Sequence, residues 1–439
     1  MENLDLTKIK KVFFIGIGGI GISALAQMAL SRGMEVSGVN DEESPKTLDL
    51  LREAGATIFY QKEWKGLPIA DLYVYSDAWI YRGPEILGDA RGSGKPVLSY
   101  FECLGVFAKE YKVIAVAGTH GKTTTTAMVA EILVDAGMDP TVVVGSFVKK
   151  FTPIVNFGDA QSALKISPKS TTGFSSNFRK GDSQYLVVEA DEYNRHFLNF
   201  HPFLTVITNI EADHLDYYKD LADVQNAFDQ FLEQSENKIT NYSKYLDKSP
   251  KLSVPGEHNR QNAAAAFAVA EFLGVNEEII KKSLAEFSGT WRRLEKRGTT
   301  KEGTIVYDDY AHHPTEIRAS VQALREIYPN GEKKLTILFQ PHLYSRTKAL
   351  FDDFTKCFKG ADRVMLLPIY FAREDRDESI SSDKLAEAIV GKGEQVQAFP
   401  DFQSSEEAVL ALNLGPNDIF ITMGAGEAYK VADKVFKLV

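Results

Sequence analysis

Short apolar runs recur along the chain, and most are followed by segments whose apolar positions return every three or four residues. The short runs predict buried strands, and the longer segments predict helices that cover them. KVFFIGIGGIGISALAQMALSRG predicts a strand, a glycine turn and a helix with small residues on its packing face; EVSGVN predicts the next strand. A second block is expected from KVIAVAG (112–118), QYLVVEA (184–190), LTVITNI (204–210) and the Ala-rich helix NAAAAFAVAEFLG (262–274). A third begins near Trp291 and carries the strands TIVYDDY, KLTILFQ, DRVMLLPIY and DIFITMG. Alternation of strand and helix throughout implies an α/β fold with mainly parallel sheets. Residues 157–183, rich in Gly, Ser and Lys, are expected to be an irregular excursion, and no internal repeat is visible.

Length turns three blocks into three domains. The 439 residues exceed one ordinary core and suit domains of about 150 residues each, drawn here at 1–107, 108–290 and 291–439. At 44% hydrophobic and 25% charged, the composition is that of a soluble globular protein. No apolar run reaches the roughly 18 residues that a membrane span requires. MENLDLTKIKK has no apolar stretch before the first strand, so no export signal is expected. Cys103 and Cys357 lie far apart and form no metal or disulfide framework, which points to a reduced cytoplasm. A net charge of −10 argues against bulk nucleic-acid binding but leaves room for a local phosphate pocket.

Two glycine-rich turns are placed to bind phosphates. GIGGIG (16–21) follows a strand and opens a helix, so backbone N–H groups and a helix N-terminus would face a diphosphate. A ligand-free tight turn fits the same residues. A dinucleotide site usually has an acid at the end of the second strand, where this chain has Asn40 followed by Asp41. Any ligand with two phosphates, a nucleotide sugar included, suits the turn. GTHGKTTTT (118–126) also joins a strand to a helix. There Lys122 can reach β- and γ-phosphates and the Thr123 hydroxyl can ligate Mg²⁺. ATP on one domain and a diphosphate-bearing substrate on another is the simplest account. EADE (189–192) and EADHLD (211–216) sit at strand ends, where open α/β sheets bind ligands. Glu189 and His214 are therefore candidates to hold Mg²⁺ with Thr123; solvated loop charge is the alternative. Six of the eight histidines lie in such stretches: His120, His214, His258, His312, His313 and His342.

The ordered set GIGGIG, GTHGKTTTT, VVEADE, TNIEADHLD, PGEHNRQNAAAA, WRRLE, YDDYAHHPTEI, FQPHLYSRT and TMGAGE resembles the Mur ligases, most of all their alanine-adding members. The resemblance runs the whole length of the chain. In that family the loop GxxGKT is an intact phosphate cradle. The resemblance implies a Rossmann-like UDP-binding domain, a central P-loop ATPase domain and a Rossmann-like C-terminal domain that closes over the amino acid. It implies ATP with Mg²⁺ (Mn²⁺ substituting), and the substrates UDP-N-acetylmuramate and L-alanine, in cytoplasmic peptidoglycan synthesis tied to cell shape and division. No nucleic acid or membrane insertion is implied, and the protein would be a monomer or homodimer. Residue by residue, Gly118, Thr119, His120, Gly121, Lys122, Thr123 and Thr124 match the ATP phosphate loop. His258, Asn259 and Asn262 match the adenine side, and Arg292 or Arg293 with Asp309 match ATP contacts from the third domain. Thr123 and Glu189 match a first Mg²⁺ site and His214 a second. Gly16, Gly18, Gly19, Gly21, Asn40 and Ser76 match the UDP-substrate side. His120, Tyr310, His312, His342 and Arg346 match the muramate and amino-acid end, with Lys122, His214, His312, Arg346 and His120 as the catalytic set. A buried structural role for His312 is the alternative.

Departures from the family pattern mark this chain. Asn40 and Leu343 replace a common Asp and Arg, and Glu427 replaces an Asp. The stretch from Asp216 to PGEHN is short, and residues 158–175 resemble a local addition. No lysine lies between Lys219 and Lys238, so the carbamylated lysine of sister ligases has no counterpart. The family's tripeptide-recycling ligase, favoured by EADEY, is the nearest rival; a UDP-sugar-binding regulator is the rival from another class.

Overall fold

Runs of β-branched and aromatic residues form the central strands because both of their faces are covered. The computed structural model describes residues 4–41, 45–155, 165–166, 176–215, 217–371, 374–389 and 395–438. It holds three large sheets. The first comprises β1 (Lys11–Ile15), β2 (Glu35–Asn40), β3 (Thr57–Tyr60), β4 (Leu72–Tyr75) and β5 (Val97–Ser99), all parallel, in the order β3-β2-β1-β4-β5. The strand order reverses between β1 and β4. That is the switch point at which such sheets open a crevice at their carboxyl ends.

The second sheet contains β6 (Lys112–Ala117), β7 (Thr141–Val148), β10 (Ser176–Arg179), β11 (Tyr185–Glu189), β12 (Leu204–Ile207) and β13 (Asn237–Ile239). Its order is β10-β7-β11-β6-β12-β13, and β10 alone is antiparallel to its neighbour. A small antiparallel pair, β8 (Ile154–Val155) and β9 (Lys165–Ile166), branches from it in sequence. Because β11, β6 and β12 are adjacent and parallel, EADE, GTHGKT and TNIEAD leave the sheet at one edge. The register sets Glu189 opposite Val116 and Ile207 opposite Ala117.

The third sheet contains β14 (Glu295–Thr299), β15 (Ile305–Asp309), β16 (Lys334–Phe339), β17 (Arg363–Leu366), β18 (Gln395–Ala398) and β19 (Asp418–Met423). Its order is β14-β15-β19-β16-β17-β18, with β14 antiparallel. One core packs under β15, β16, β17 and β19 around Ile337, Phe339, Phe354 and Ile421, and another covers the opposite face around Val306, Leu338, Phe420 and Val431.

Two compact units contain these sheets. Met1–Glu211, Ala222–Pro250 and Asn262–Thr290 form the first, with sheets one and two. Ala212–Leu221, Lys251–Gln261 and Trp291–Val439 form the second, with sheet three.

The α/β architecture expected from the hydrophobic pattern is present. The expected irregularity of 157–183 needs two corrections: Lys165–Ile166 pairs with Ile154–Val155, and Ser176–Arg179 is a strand that pairs with Val148, Val143 and Val142. Phe178 is buried there, and the single apolar residue among polar ones hid the strand. Most of the supposed addition at 158–175 lies outside the described residues. The Ala-rich helix also begins earlier than expected, running Glu257–Phe272.

Candidate active site

The first sheet ends in a braced glycine turn at a helix N-terminus. After β1, Gly16 and Ile17 donate to the Val39 carbonyl at 2.8 and 3.1 Å, and Gly19 caps the Ile20–Ser31 helix. Gly18 is held twice, its N–H donating to Asn40 Oδ1 at 3.1 Å and its carbonyl accepting from Thr47 Oγ1 at 2.7 Å. Asn40 is buried, so the residue expected at the UDP side braces the turn from the end of β2. Asp41 pairs with Arg82 at 2.9 Å. Ser76 follows β4, and its N–H donates to the Ile15 carbonyl, which sets it beside the glycine turn. Gly21 lies against the Tyr100 ring.

The phosphate loop hangs from the end of β12. Thr119 N–H donates to the Asn209 carbonyl at 3.0 Å, and His120 N–H to Asn209 Oδ1 at 2.9 Å. Thr208 Oγ1 and Asn209 Nδ2 donate to the His120 carbonyl at 2.6 and 3.0 Å. The His120 ring faces Glu211, with Nε2 at 3.6 Å. Gly118 (φ +136°) and Gly121 (φ +82°) occupy backbone conformations that L side chains rarely adopt. A Cβ on Gly121 would overlap the side-chain oxygen of Asn262, so the residue expected near adenine packs directly on the loop.

Lys122 opens the Lys122–Asp135 helix and turns back over the loop. Its Nζ donates to the carbonyls of Gly118 (2.7 Å) and Thr119 (3.1 Å) and to Glu192 (2.7 and 3.0 Å). Burial works against the ammonium, but Glu192, Asp191 and Glu189 outweigh it and keep Lys122 charged. Burial raises the Glu192 carboxyl, Lys122 pulls it the other way, and Asp191 adds to the rise. Thr123 Oγ1 donates to Glu189 Oε1 at 2.8 Å, and Gly145 N–H fixes the other oxygen at 2.8 Å. Thr124 follows in the same helix and is buried. Glu192, Thr208 and Asn209 were not singled out from the sequence. The end of EADE and the Thr-Asn of TNIEAD were the available signals.

In the second unit, the loops after β15, β16 and β17 meet the segment Ala212–Leu221. Arg346 Nε and Nη2 each reach Asp213 Oδ1 at 3.2 Å, and Nη1 lies 3.2 Å from His342 Nδ1. Burial disfavours the Asp213 carboxylate, but Arg346, His214, His313 and His312 hold it well below its usual range. The His342 ring stacks on Tyr370 and meets His312 edge-on. His312 Nδ1 lies 3.0 Å from the Tyr310 carbonyl and 3.3 Å from Glu316. Burial lowers His312 to about 4, so its imidazole is neutral at physiological pH. Asp213, His214, Ser345, Arg346 and the apolar Ala212, Leu215, Ala349 and Leu350 line a cavity of about 80 Å³.

Other expected ATP contacts divide. The buried Arg292 donates to Asp308 (2.8 Å) and to the carbonyls of Gly424 (2.7 Å) and Gly426 (3.2 Å). Arg292 is thus committed to the fold, while the neighbouring Arg293 is half-buried over the Tyr310 ring. Asp309 accepts from Ser320 and is raised to about 6 by burial. Asn259 Nδ2 donates to the Pro255 carbonyl at 2.7 Å, which closes the first turn of its helix. His258 is half-buried, and burial lowers its pKa. Leu343 is an interior side chain at φ +70°, its N–H donating to the Tyr370 carbonyl at 2.8 Å. Glu427 pairs with Lys430.

Three family models match in chain order. They are the Mur ligase family catalytic domain (residues 11–112), the Mur ligase middle domain (116–249) and the Mur ligase glutamate ligase domain (292–426). Among curated proteins, the chain is 35% identical to the UDP-N-acetylmuramate–L-alanine ligase of Clostridium botulinum (strain Langeland), covering 98% of each chain. It is 36% identical to that of Agathobacter rectalis, covering 100% of each. The solved UDP-N-acetylmuramate–alanine ligase of Thermotoga maritima is similar at TM-score 0.76 and 27% identity, over 97% of this chain and 98% of that one.

Proposed function

The chain belongs to the Mur ligase family, and on that premise we propose that it joins L-alanine to the lactyl carboxylate of UDP-N-acetylmuramate, with ATP converted to ADP and phosphate. The reaction is a step of peptidoglycan precursor synthesis, placed in the cytoplasm, where ATP and UDP-sugars are available. Among the described residues, no helix is long and apolar enough to cross a membrane. One observation carries the assignment: Lys122, Thr123 and the Glu189 carboxylate stand together at the start of a helix that follows a glycine loop. The same unit holds a second anion-ready turn at 16–21.

The chemistry proceeds in two steps. The lactyl carboxylate oxygen attacks the γ-phosphorus of ATP, and ADP leaves. The alanine amine then attacks the acyl phosphate carbonyl, phosphate leaves with the C–O bond pair, and the amine loses a proton. A carboxylate is a poor acyl donor, so the phosphoryl group supplies the leaving group. The protein contributes alignment and charge.

The Lys122 ammonium neutralises charge on the β- and γ-phosphates, and the N–H groups at the helix start, Gly121 to Thr123, cradle them. The Thr123 hydroxyl and Glu189 carboxylate are hard oxygen donors and suit Mg²⁺; we assign the second ion to His214. When bound, the cation offsets the repulsion between phosphate and carboxylate. Gly16, Gly18, Gly19, Gly21, Asn40 and Ser76 form the UDP side. His120, Tyr310, His312, His342 and Arg346 serve the muramate and amino-acid end, and His258, Asn259, Asn262, Arg293 and Asp309 the nucleotide. His312 is assigned to this end by position; burial holds its imidazole neutral and makes it a weak base. We assign residues 1–107 to the UDP-substrate, 108–290 to ATP and 291–439 to the amino acid, with 212–221 and 251–261 belonging to the unit of the last.

Phosphate release from ATP by the purified protein is the test. Release should require UDP-N-acetylmuramate together with L-alanine and yield the amide by mass. Release that needs tripeptide in place of L-alanine would assign the chain to recycling. No release with any amine would leave the ligase assignment untenable.

A further inference from the structure

His196 is one of the two histidines outside the motif-like stretches, and it lies at the seam between the two sheets of the first unit. It follows the carboxylate loop of β11 in the segment Tyr193–Asn199, where Asn194 and Arg195 both adopt positive φ. Its Nε2 lies 2.9 Å from Asp77 Oδ2, in the turn after β4 that also carries Ser76. Its Nδ1 faces Asp191 Oδ2 at 3.8 Å. The ring stacks on Phe101, with centroids 3.9 Å apart and planes 15° from parallel. Phe101 adjoins Tyr100, whose ring packs on Gly21 of the glycine turn. One buried side chain thus connects the substrate turn of the first sheet with the loop that holds Glu189 and Glu192.

An imidazole set between two carboxylates, one of them at hydrogen-bond distance, favours its protonated form, since a carboxylate prefers a donor. Burial opposes the charge on His196, yet Asp191 and Asp77 raise it to about 9; Nε2 donates to Asp77, while Nδ1 faces Asp191 from beyond hydrogen-bond reach and interacts with it through charge. The cation offsets Asp191, one of three carboxylates around Lys122. The two residues before it hold positive φ values, a conformation that L side chains rarely adopt.

We infer that His196 is a positioning residue that ties the Ser76–Asp77 turn to the Glu189–Glu192 loop, so that a substrate on the glycine turn is presented in register with the phosphate loop. This rests on the ligase assignment, in which the two turns bind the two reacting molecules. Misplacement of about 1 Å between reacting groups lowers rate by about 100-fold, while each ligand still binds its own turn. The tie therefore belongs to turnover and leaves single-ligand affinity alone.

The test compares His196→Gln, Asp77→Asn, the double variant and His196→Arg in the full chain. Phosphate release with L-alanine gives kcat and KM, calorimetry gives the affinity for UDP-N-acetylmuramate and for ATP separately, and urea denaturation reports stability. Each single variant should lose about 10- to 100-fold in kcat, with single-ligand affinities within about threefold. The double variant should be no worse than the poorer single one. His196→Arg, which keeps charge and a planar stack on Phe101, should recover most of the rate. A kcat within about twofold of the unmutated protein for His196→Gln would overturn the inference. So would loss of both affinities in proportion to stability, which marks a purely structural residue. If the unmutated protein does not ligate, the functional assignment has failed separately. The tie is then decided by the stability cycle, in which non-additive His196 and Asp77 effects support it and additive effects overturn it.

Discussion

Replacing Gly121 with alanine tests how the phosphate loop is built. The backbone there has φ +82°, and an L side chain in the left-handed region costs about 1–2 kcal/mol. The new Cβ would overlap the Asn262 side-chain oxygen, and Asn262 is only 6% exposed. Moving a buried amide off its hydrogen-bond partners costs about 1–3 kcal/mol more. Together these give about 2–5 kcal/mol of lost stability, a large share of a typical domain's margin. Because the obstacle belongs to the adenine-side helix, ATP affinity should fall too, tenfold for every 1.4 kcal/mol or so. Urea denaturation and calorimetry with ATP measure both. Asn262→Ala removes the obstacle, so the double variant should lose less stability than the sum of the singles. Additivity within about 0.5 kcal/mol, together with unchanged ATP binding, would refute the idea that Asn262 packs on the loop.

Lys122→Ala should lower phosphate release by about 100- to 1,000-fold or more, while UDP-N-acetylmuramate still binds in calorimetry; near-normal ligation would dismiss the phosphate loop. Arg292→Lys should cost about 3–5 kcal/mol in denaturation, because a lysine cannot reach Asp308 and two carbonyls at once. Arg293→Ala should instead spare stability and weaken ATP binding, and the reverse pattern would exchange their roles. Glu131 is buried beside Lys150, and burial raises it from 4.5 to about 7. The native state therefore holds its proton more tightly than the unfolded chain, and the stability this gives is full below about pH 4.5 and lost as pH rises through 7. Glu131→Gln should remove up to about 3 kcal/mol of pH dependence between pH 4.5 and 8, and denaturation midpoints with the same pH slope in both proteins would contradict this.

The sequence displayed what buried hydrophobic surface dictates. Val113–Ala117 and Leu186–Val188 are fully apolar, and Leu204–Ile207 is apolar but for the buried Thr205, because helices cover both faces of their sheet, so the strands that end in motifs were legible. Edge strands were not, since NKI in β13, EKRGT in β14 and QVQA in β18 face solvent and need no apolar run. Among site residues, those whose chemistry is local could be read, such as Lys122 and Thr123 after a glycine loop. Residues defined by long-range partners could not. Glu192 matters through Lys122, 70 positions away, and Arg292 is withdrawn by carbonyls more than 130 positions along the chain. His196 carries no motif at all, and its partner Asp77 belongs to another sheet.

The division of the chain into units has a consequence for how it is made. Membership changes after Glu211, Leu221, Pro250, Gln261 and Thr290, so two short segments of the second unit are synthesised inside the first. Ala212–Leu221, with Asp213 and His214, leaves the ribosome well before Arg346, the residue that neutralises Asp213. Lys251–Gln261, with His258, likewise precedes the helix Pro314–Ile327 against which Gly256 packs. A nascent chain halted after Thr290 would thus hold a finished first unit and two stranded segments, one of them a carboxylate awaiting its counter-charge. Assembly of the loops around Arg346 is in this way deferred to the last stage of translation, and a product truncated after Thr290 retains residues 118–123 without the partners of Asp213 and His258.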